Sequence, residues 1–379
     1  MKLRVPLLVL AISLVFLILF RLFPSFMDKV YSGFLYVLIA QGVSSIIALI
    51  PFSLAEVLLF LLVFFLFFQL VRGIVVLFVL PFSQVKEIWK KNLVFTTSLL
   101  LWATSAYMLT CGLHYHRLPL EDRLDYPQQQ ATTEDLTNMA GALVREINLA
   151  ASYTRRDTQG DMIPDHTFDR YKKDIALAYD SLAVTTGLRT GGRYPATKTV
   201  LASRGMSYAY VSGFFFPWTI EANVNKDVPV FTLPAIMAHE QAHVRGFMRE
   251  NEANFLAYLV ARHTGNGDLK YSCLLHSLHY VLNAIHSASP ESYTSLLESL
   301  SARVLYDLHK EYEYWDKFRS TFGVMSQRVN DAYLKANAQP EGVASYGKVV
   351  DLMIADFKIH EKQVQQNPES SVCIGEGTL

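Results

Sequence analysis

The chain has 379 residues, and its 34 lysines and arginines are matched by 34 aspartates and glutamates. A formal charge of zero gives no electrostatic ground for a nucleic-acid or acidic partner. Its three cysteines, Cys111, Cys273 and Cys373, are scattered without metal-binding or disulfide-framework spacing, so cysteine use says little about compartment.

Residues 1–113 differ in composition from the rest and predict a membrane domain. Val5 to Phe23 is an almost unbroken apolar run, long enough to cross a bilayer and without a small-residue cleavage site, so it is expected to be retained. Residues 31–50 are apolar but interrupted by Gly33, Gln41, Gly42, Ser44 and Ser45, which suits an interfacial or re-entrant helix. A capping box, Ser53-Leu54-Ala55-Glu56, opens a second span over 54–80, with Arg72 near its far end to snorkel or face another helix. The third span covers 93–113. Lys2 and Arg4 precede the first span, and Lys86, Lys90 and Lys91 separate the second from the third, which places both on the cytoplasmic side. Three crossings then make a multi-pass cell-membrane protein in contact with the lipid bilayer, everything after His114 being extracytoplasmic. A fourth crossing at 31–50 would reverse this.

From about Leu118 the chain reads as a water-soluble domain, 118–366, large enough for a full core, with 367–379 expected as a disordered tail. Helical patterns occupy Thr133 to Ala151, Thr167 to Thr185, Pro234 to Gly246, Glu250 to His263, Leu269 to Ser287, Ser292 to Thr321 and Met325 to Asn337. The fold class is therefore mainly α, with a small β element. That element is expected over Tyr208 to Val211 and Gly213 to Ile220, where aromatic and β-branched residues gather. An edge strand there would lie beside the active-site helix and pair with an extended peptide. The same aromatics suit packing on the helices or contact with the membrane surface equally well.

His239-Glu240-Gln241-Ala242-His243 is an HExxH sequence. Two histidines four residues apart are separated by about 400° of helical rotation, close to one turn, so both imidazoles can face one cation. Glu240, beside the first, is placed to take a proton from a zinc-activated water. Thr232 is a candidate cap, Pro234 suits a first helical turn, and Ala235 to Ala238 fill an apolar turn before the histidines. Gly246 breaks the helix, and Glu250 to Asn254 opens another that returns a carboxylate to the histidines. Two His and one Glu, with the fourth position left to water, form the catalytic zinc set of the thermolysin type.

Glu250 is the chosen third ligand and Glu252 the alternative. The segment Glu250 to Asn254 resembles Glu-x-x-Ala-Asp, in which the Glu ligates and the Asp orients a ligand histidine, with Asn254 standing for the Asp. Glu250 also lies seven residues past His243 with Gly246 between, close to the HExxHxxGxxH/D spacing of other zinc proteases. Candidate second donors to a developing oxyanion are Tyr280, His276, His279, Tyr333 and Tyr346. Against the metal reading stands one of two core histidines with Glu240 on a solvated face. A purely structural metal site would want four closed protein ligands and no base.

The blocks Phe216-Pro217-x-Thr219-x-Glu221-Ala222-Asn223-Val224-Asn225, His239-Glu240-x-Ala242-His243-x-x-Gly246-Phe247-x-Arg249-Glu250-x-Glu252-Ala253-Asn254-Phe255, Tyr333-Leu334-Lys335 and Gly342-Val343-x-Ser345-Tyr346 resemble the bacterial membrane family catalogued as domain of unknown function 3810. That family in turn resembles gluzincin-type integral-membrane zinc peptidases in its HExxH and following Glu-x-x-Ala segment. The resemblance implies a zincin-like metallopeptidase domain, Zn2+ as cofactor and a protein or peptide as substrate. His239, His243 and Glu250 would hold the metal and Glu240 would act as the base. A membrane sensor that keeps the zinc fold without cutting is the competing reading.

Overall fold

The computed structural model of the protein describes residues 3–127, 131–339 and 348–366; the expected tail at 367–379 and the candidate Tyr346 lie outside them. The membrane-side helices are α1 (Arg4–Leu22), α2 (Pro24–Met27), a π-helical stretch Asp28–Leu35, α3 (Tyr36–Ile47), α4 (Leu54–Val79) and α5 (Phe82–Thr110). Then come α6 (Leu120–Arg123), α7 (Thr133–Tyr153), α8 (Phe168–Thr186), β1 (Lys198–Thr199), α9 (Ser203–Tyr208), β2 (Gly213–Phe216), β3 (Glu221–Val224), α10 (Leu233–Val244) and α11 (Glu250–Arg262). The chain continues through α12 (Gly267–Ala288), α13 (Pro290–Ser299), α14 (Ala302–Asp316), α15 (Thr321–Ala336) and α16 (Val349–Gln366). The protein is mainly helical with one small sheet.

At the centre lies α10. Apart from Leu233 and His239, every residue in it is buried, as expected of a helix that is apolar on all sides and enclosed by others. The main core joins it to α7, α8, α11, α12 and α16 through residues such as Leu143, Tyr179, Met237, Phe255, Leu278 and Met353. Thr232 does not cap it; its hydroxyl donates to the Pro229 carbonyl, and the Ala235 N–H donates instead to Ser272 Oγ of α12 at 3.0 Å.

The sheet has strand order β1-β3-β2, with β1 parallel and β2 antiparallel to β3, so β2 is an edge. Two strand expectations are corrected. Residues 208–211 close α9 through bonds such as Tyr210 N–H to Ser207 O and Val211 N–H to Met206 O, local bonds that override the aromatic strand propensity. The run from Gly213 to Ile220 is not one strand: it turns after Phe216, Ile220 taking φ 54°, and returns as β3. The long helix expected over 292–321 is also interrupted. Asn148 of α7 donates to Ser299 O and accepts from Ser301 N–H, both at 2.8 Å, and thereby holds the break between α13 and α14.

Four helical segments are long and apolar enough to span a membrane: Arg4–Leu22, Pro24–Ile47, Leu54–Val79 and Phe82–Thr110. The first, third and fourth overlap the expected spans, while Pro24–Ile47 covers the segment read as interfacial or re-entrant. It touches the larger domain at its start, middle and end. Arg117 Nε lies 2.6 Å from Asp28, Tyr36 Oη donates to Val244 O at 3.0 Å, and Lys198 Nζ donates to Ile47 O at 3.3 Å. The first turn of α4 is seated on β3: Ser53 donates to Asn223, while the Leu54 and Ala55 N–H groups donate to the Glu221 carboxylate at 3.3 and 2.8 Å.

Candidate functional site

His239 and His243 project from the same side of α10, their Nε2 atoms 3.1 Å apart. The turn that follows decides what faces them. Gly246 takes φ 82°, the Phe247 N–H bonds back to Ala242 O at 3.1 Å, and the chain re-enters as α11 with Glu250 in its first turn. A Cβ on Gly246 would meet His114 and Tyr36 at 3.1 Å, so both the backbone and the packing require glycine there. Glu250 Oε2 then lies 3.3 Å from His239 Nε2, and Oε1 3.7 Å from His243 Nε2. One ligand atom from each of the three residues falls within 4.8 Å of the others, a grouping that can hold a metal ion.

Glu252 is not part of this cluster. It is buried on the other side of the same turn, where it accepts from the Leu120 N–H and pairs with Arg249 at 2.7 Å. The two carboxylates at the helix start thus meet different partners: a salt bridge and a backbone donor for Glu252, two imidazoles for Glu250.

The Phe247 carbonyl accepts from His243 Nδ1 at 2.8 Å, which leaves the Nε2 lone pair directed at Glu250 and His239. Burial lowers the His243 pKa to about 4, keeping that nitrogen free of a proton. Burial acts on His239 in the same sense, but the hydrogen bond and charge of Glu250 outweigh it and raise its pKa. For Glu240 burial dominates, with the Glu250 charge adding to it, and the carboxyl is pushed up to about 8. Its Oε2 is buried with no hydrogen-bond partner among the described residues.

Glu240 owes its seat to a residue that sequence reasoning placed only as the start of a strand. A Cβ on Gly213 would lie 2.6 Å from Glu240 Oε1 and 2.9 Å from both its Cγ and Ile236 Cγ2. The one available signal was the glycine itself, since glycine inside a strand marks close approach by other groups.

These residues open into a cleft of about 630 Å³. One wall is the edge strand, with Gly213, Phe214 and Phe215; another is α15, with Gln327, Val329, Asn330 and Tyr333; Cys111 and Tyr115, just past the end of α5, also line it. Of the candidate oxyanion donors, His276, Tyr280 and Tyr333 line the cleft. His276 Nε2 donates to Asn254 Oδ1 at 3.0 Å and lies 3.4 Å from Tyr280 Oη, so Asn254 ties the helix carrying Glu250 to this pair. Burial and the neighbouring histidines lower the His276 pKa to about 3. His279 does not line the cleft; it pairs with Glu311 at 2.9 Å.

Fold and site together define a mainly helical protein with helices long enough to span a membrane and a His-His-Glu cluster at the base of a cleft. The chain belongs to the family described as protein of unknown function (DUF3810), which matches residues 31–354. No curated protein and no solved structure matches it. The matched region begins inside the Pro24–Ile47 helix and covers α4 and α5, while α1 and Asp28 precede it.

Proposed function

We propose that the protein is a membrane-anchored zinc metallopeptidase that hydrolyses peptide bonds, with a gluzincin-like site in which His239, His243 and Glu250 hold Zn2+. The supporting observation is convergence: three ligand atoms, a buried carboxylate and an unpaired strand edge meet in one cleft. Their spacing fits the ion. Tetrahedral zinc with ligands at about 2.0–2.2 Å needs donor atoms about 3.3–3.6 Å apart, and the three separations are 3.1, 3.3 and 3.7 Å.

When bound, zinc supplies a Lewis acid that acidifies a water and polarises the scissile carbonyl. Glu240 would take the proton from the attacking water and return it to the leaving amine, a role its place in the cleft beside His239 suits. His243 is oriented by the Phe247 carbonyl, and β2 offers its backbone to an extended substrate. Tyr280, His276 and Tyr333 are the side chains in the cleft from which a second donor to the carbonyl oxygen would come.

A three-crossing membrane part is supported by the contacts of Pro24–Ile47, which meets the larger domain along its length. With α1, α4 and α5 as the crossings, lysine-rich residues 86–91 fall on the cytoplasmic side and the cleft on the other.

Glu240→Gln tests the activity. The variant is expected to keep its zinc and its fold while losing hydrolysis by about a hundredfold to ten-thousandfold. Membrane and secreted proteomes of cells with wild type or variant would be compared for fragments that vanish. No differential cleavage, with an unaltered variant phenotype beside a clear deletion phenotype, would favour a sensor instead.

A further inference from the structure

The cleft sits low on the domain, next to the apolar part of α5. Residues 93–111 carry no charged side chain, and Trp218, in the turn between β2 and β3, donates its indole N–H to Ala103 O of that stretch at 3.0 Å. Ala103 lies seven residues before the helix ends at Thr110, about 10 Å down its axis. The turn therefore reaches alongside a lipid-facing surface, and the Trp218 ring there is 47% exposed.

The opposite wall of the cleft behaves in the same way. Tyr107 of α5 donates to Asn337 Oδ1 at 2.5 Å and its Oη lies 3.2 Å from that of Tyr333, which ties the C-terminal end of α15 to the last turn of α5. On one side of α15, at helical spacing, stand Phe322, Met325 and Val329, each more than 60% exposed, followed by Tyr333. Nothing among the described residues covers this stripe, whose Tyr333 end meets Tyr107 of α5.

We propose that the mouth of the cleft lies at the lipid surface, with the β2–β3 turn and the apolar side of α15 seated among the headgroups. The peptide it takes is then a membrane-proximal segment of a lipid-anchored or membrane-spanning polypeptide. Aromatic rings with one polar edge favour that depth, and an amphipathic helix lies in the interface with its apolar side down. The substrate class rests on the peptidase reading; the seating at the lipid surface does not.

The test uses the full chain in nanodiscs of phosphatidylcholine and phosphatidylglycerol, with Cys373→Ser and a nitroxide at one introduced thiol. Trp218→Cys, Val329→Cys and Met325→Cys probe the proposed contact, and Val184→Cys, exposed on α8, is the aqueous reference. Oxygen relaxing the Trp218 and Val329 labels more than a water-soluble nickel chelate, with the reverse at Val184, is the expected result. Met325 provides a second reading of α15 should the Trp218 variant fail to fold. Labels at 329 and 325 as chelate-accessible as that at 184 would overturn the proposal, whatever occupies the stripe. A second arm offers one peptide on a lipid anchor through a short or a long spacer. Preference for the short spacer is expected; cleavage only with the long one would overturn the substrate class. Cleavage of neither peptide, with interfacial labels, would fault the peptidase reading while leaving the seating intact.

Discussion

Gly213→Ala should disable the site without touching a metal ligand. The added methyl carbon would stand 2.6 Å from Glu240 Oε1, whereas ordinary contact begins at 3.4 Å, so carboxylate and strand must separate by about 3.4 − 2.6 = 0.8 Å. Glu240 cannot yield alone, because Ile236 Cγ2, one turn earlier on α10, is also met at 2.9 Å. Displacing a reacting group by about 1 Å costs on the order of a hundredfold in rate, and overpacking of this kind costs about 1–3 kcal/mol in stability. The expected variant is folded, carries zinc equal to wild type by elemental analysis, melts at a modestly lower temperature in detergent, and has lost roughly two orders of magnitude in Glu240-dependent cleavage. Wild-type turnover with full metal content would refute the account of how Glu240 is positioned.

Three further outcomes follow from the geometry. Glu250→Gln should weaken zinc binding by at least about tenfold, as read by chelator competition, while Glu252→Gln keeps the metal but loses stability through its bonds to Arg249 and Leu120; metal loss only in the second variant would reverse the assignment. Burial lowers the His279 pKa, yet the hydrogen bond and charge of Glu311 outweigh it and leave the pKa raised above 6.5. The pair's stabilisation is thus fully present below that value and lost as pH rises through the raised one. Denaturation of wild type and Glu311→Gln at a series of pH values should show a gap that narrows in the alkaline direction. A reporter fused after residue 125 should be active only outside the cytoplasm and one at Glu87 only inside, the reverse pattern placing the cleft in the cytoplasm.

Patterns that depend on near neighbours in the chain were legible. The apolar runs gave the long helices, the HExxH spacing gave a shared direction to His239 and His243, and Gly246 announced the turn that brings Glu250 back. What stayed hidden depends on distant partners. Thr232 carries the right hydroxyl for a cap, but the donor at that helix end is met by Ser272, 37 residues on. The interruption between α13 and α14 is held by Asn148, about 150 residues away, and nothing in 292–321 reports it. Glu221 and Asn223 stood out only as part of the Phe216 to Asn225 block, and only the assembled structure reveals that α4 begins on them. The Glu250 and Glu252 ambiguity had the same origin, for the residue that claims Glu252 is Arg249, supported by the Tyr115 and Arg117 carbonyls from across the boundary at 113–118.

Glu221 also bears on how this protein comes to exist. Fully buried, it accepts from Lys198 at 2.5 Å and Thr219 at 2.7 Å within the larger domain, and from the first turn of α4 on the membrane side. Glu56, in the first turn of α4, reciprocates by accepting from the backbone of Leu201 and Ala202. Severing the chain between 113 and 118 would strip these contacts from the sheet and remove Tyr36 and His114 from behind Gly246. Residues 118–366 thus share buried polar contacts with the helices that precede them. A chain without the first helices would leave Glu221 lacking two of its backbone donors and Leu201 and Ala202 lacking their acceptor, and is expected to form this sheet less stably than the intact one.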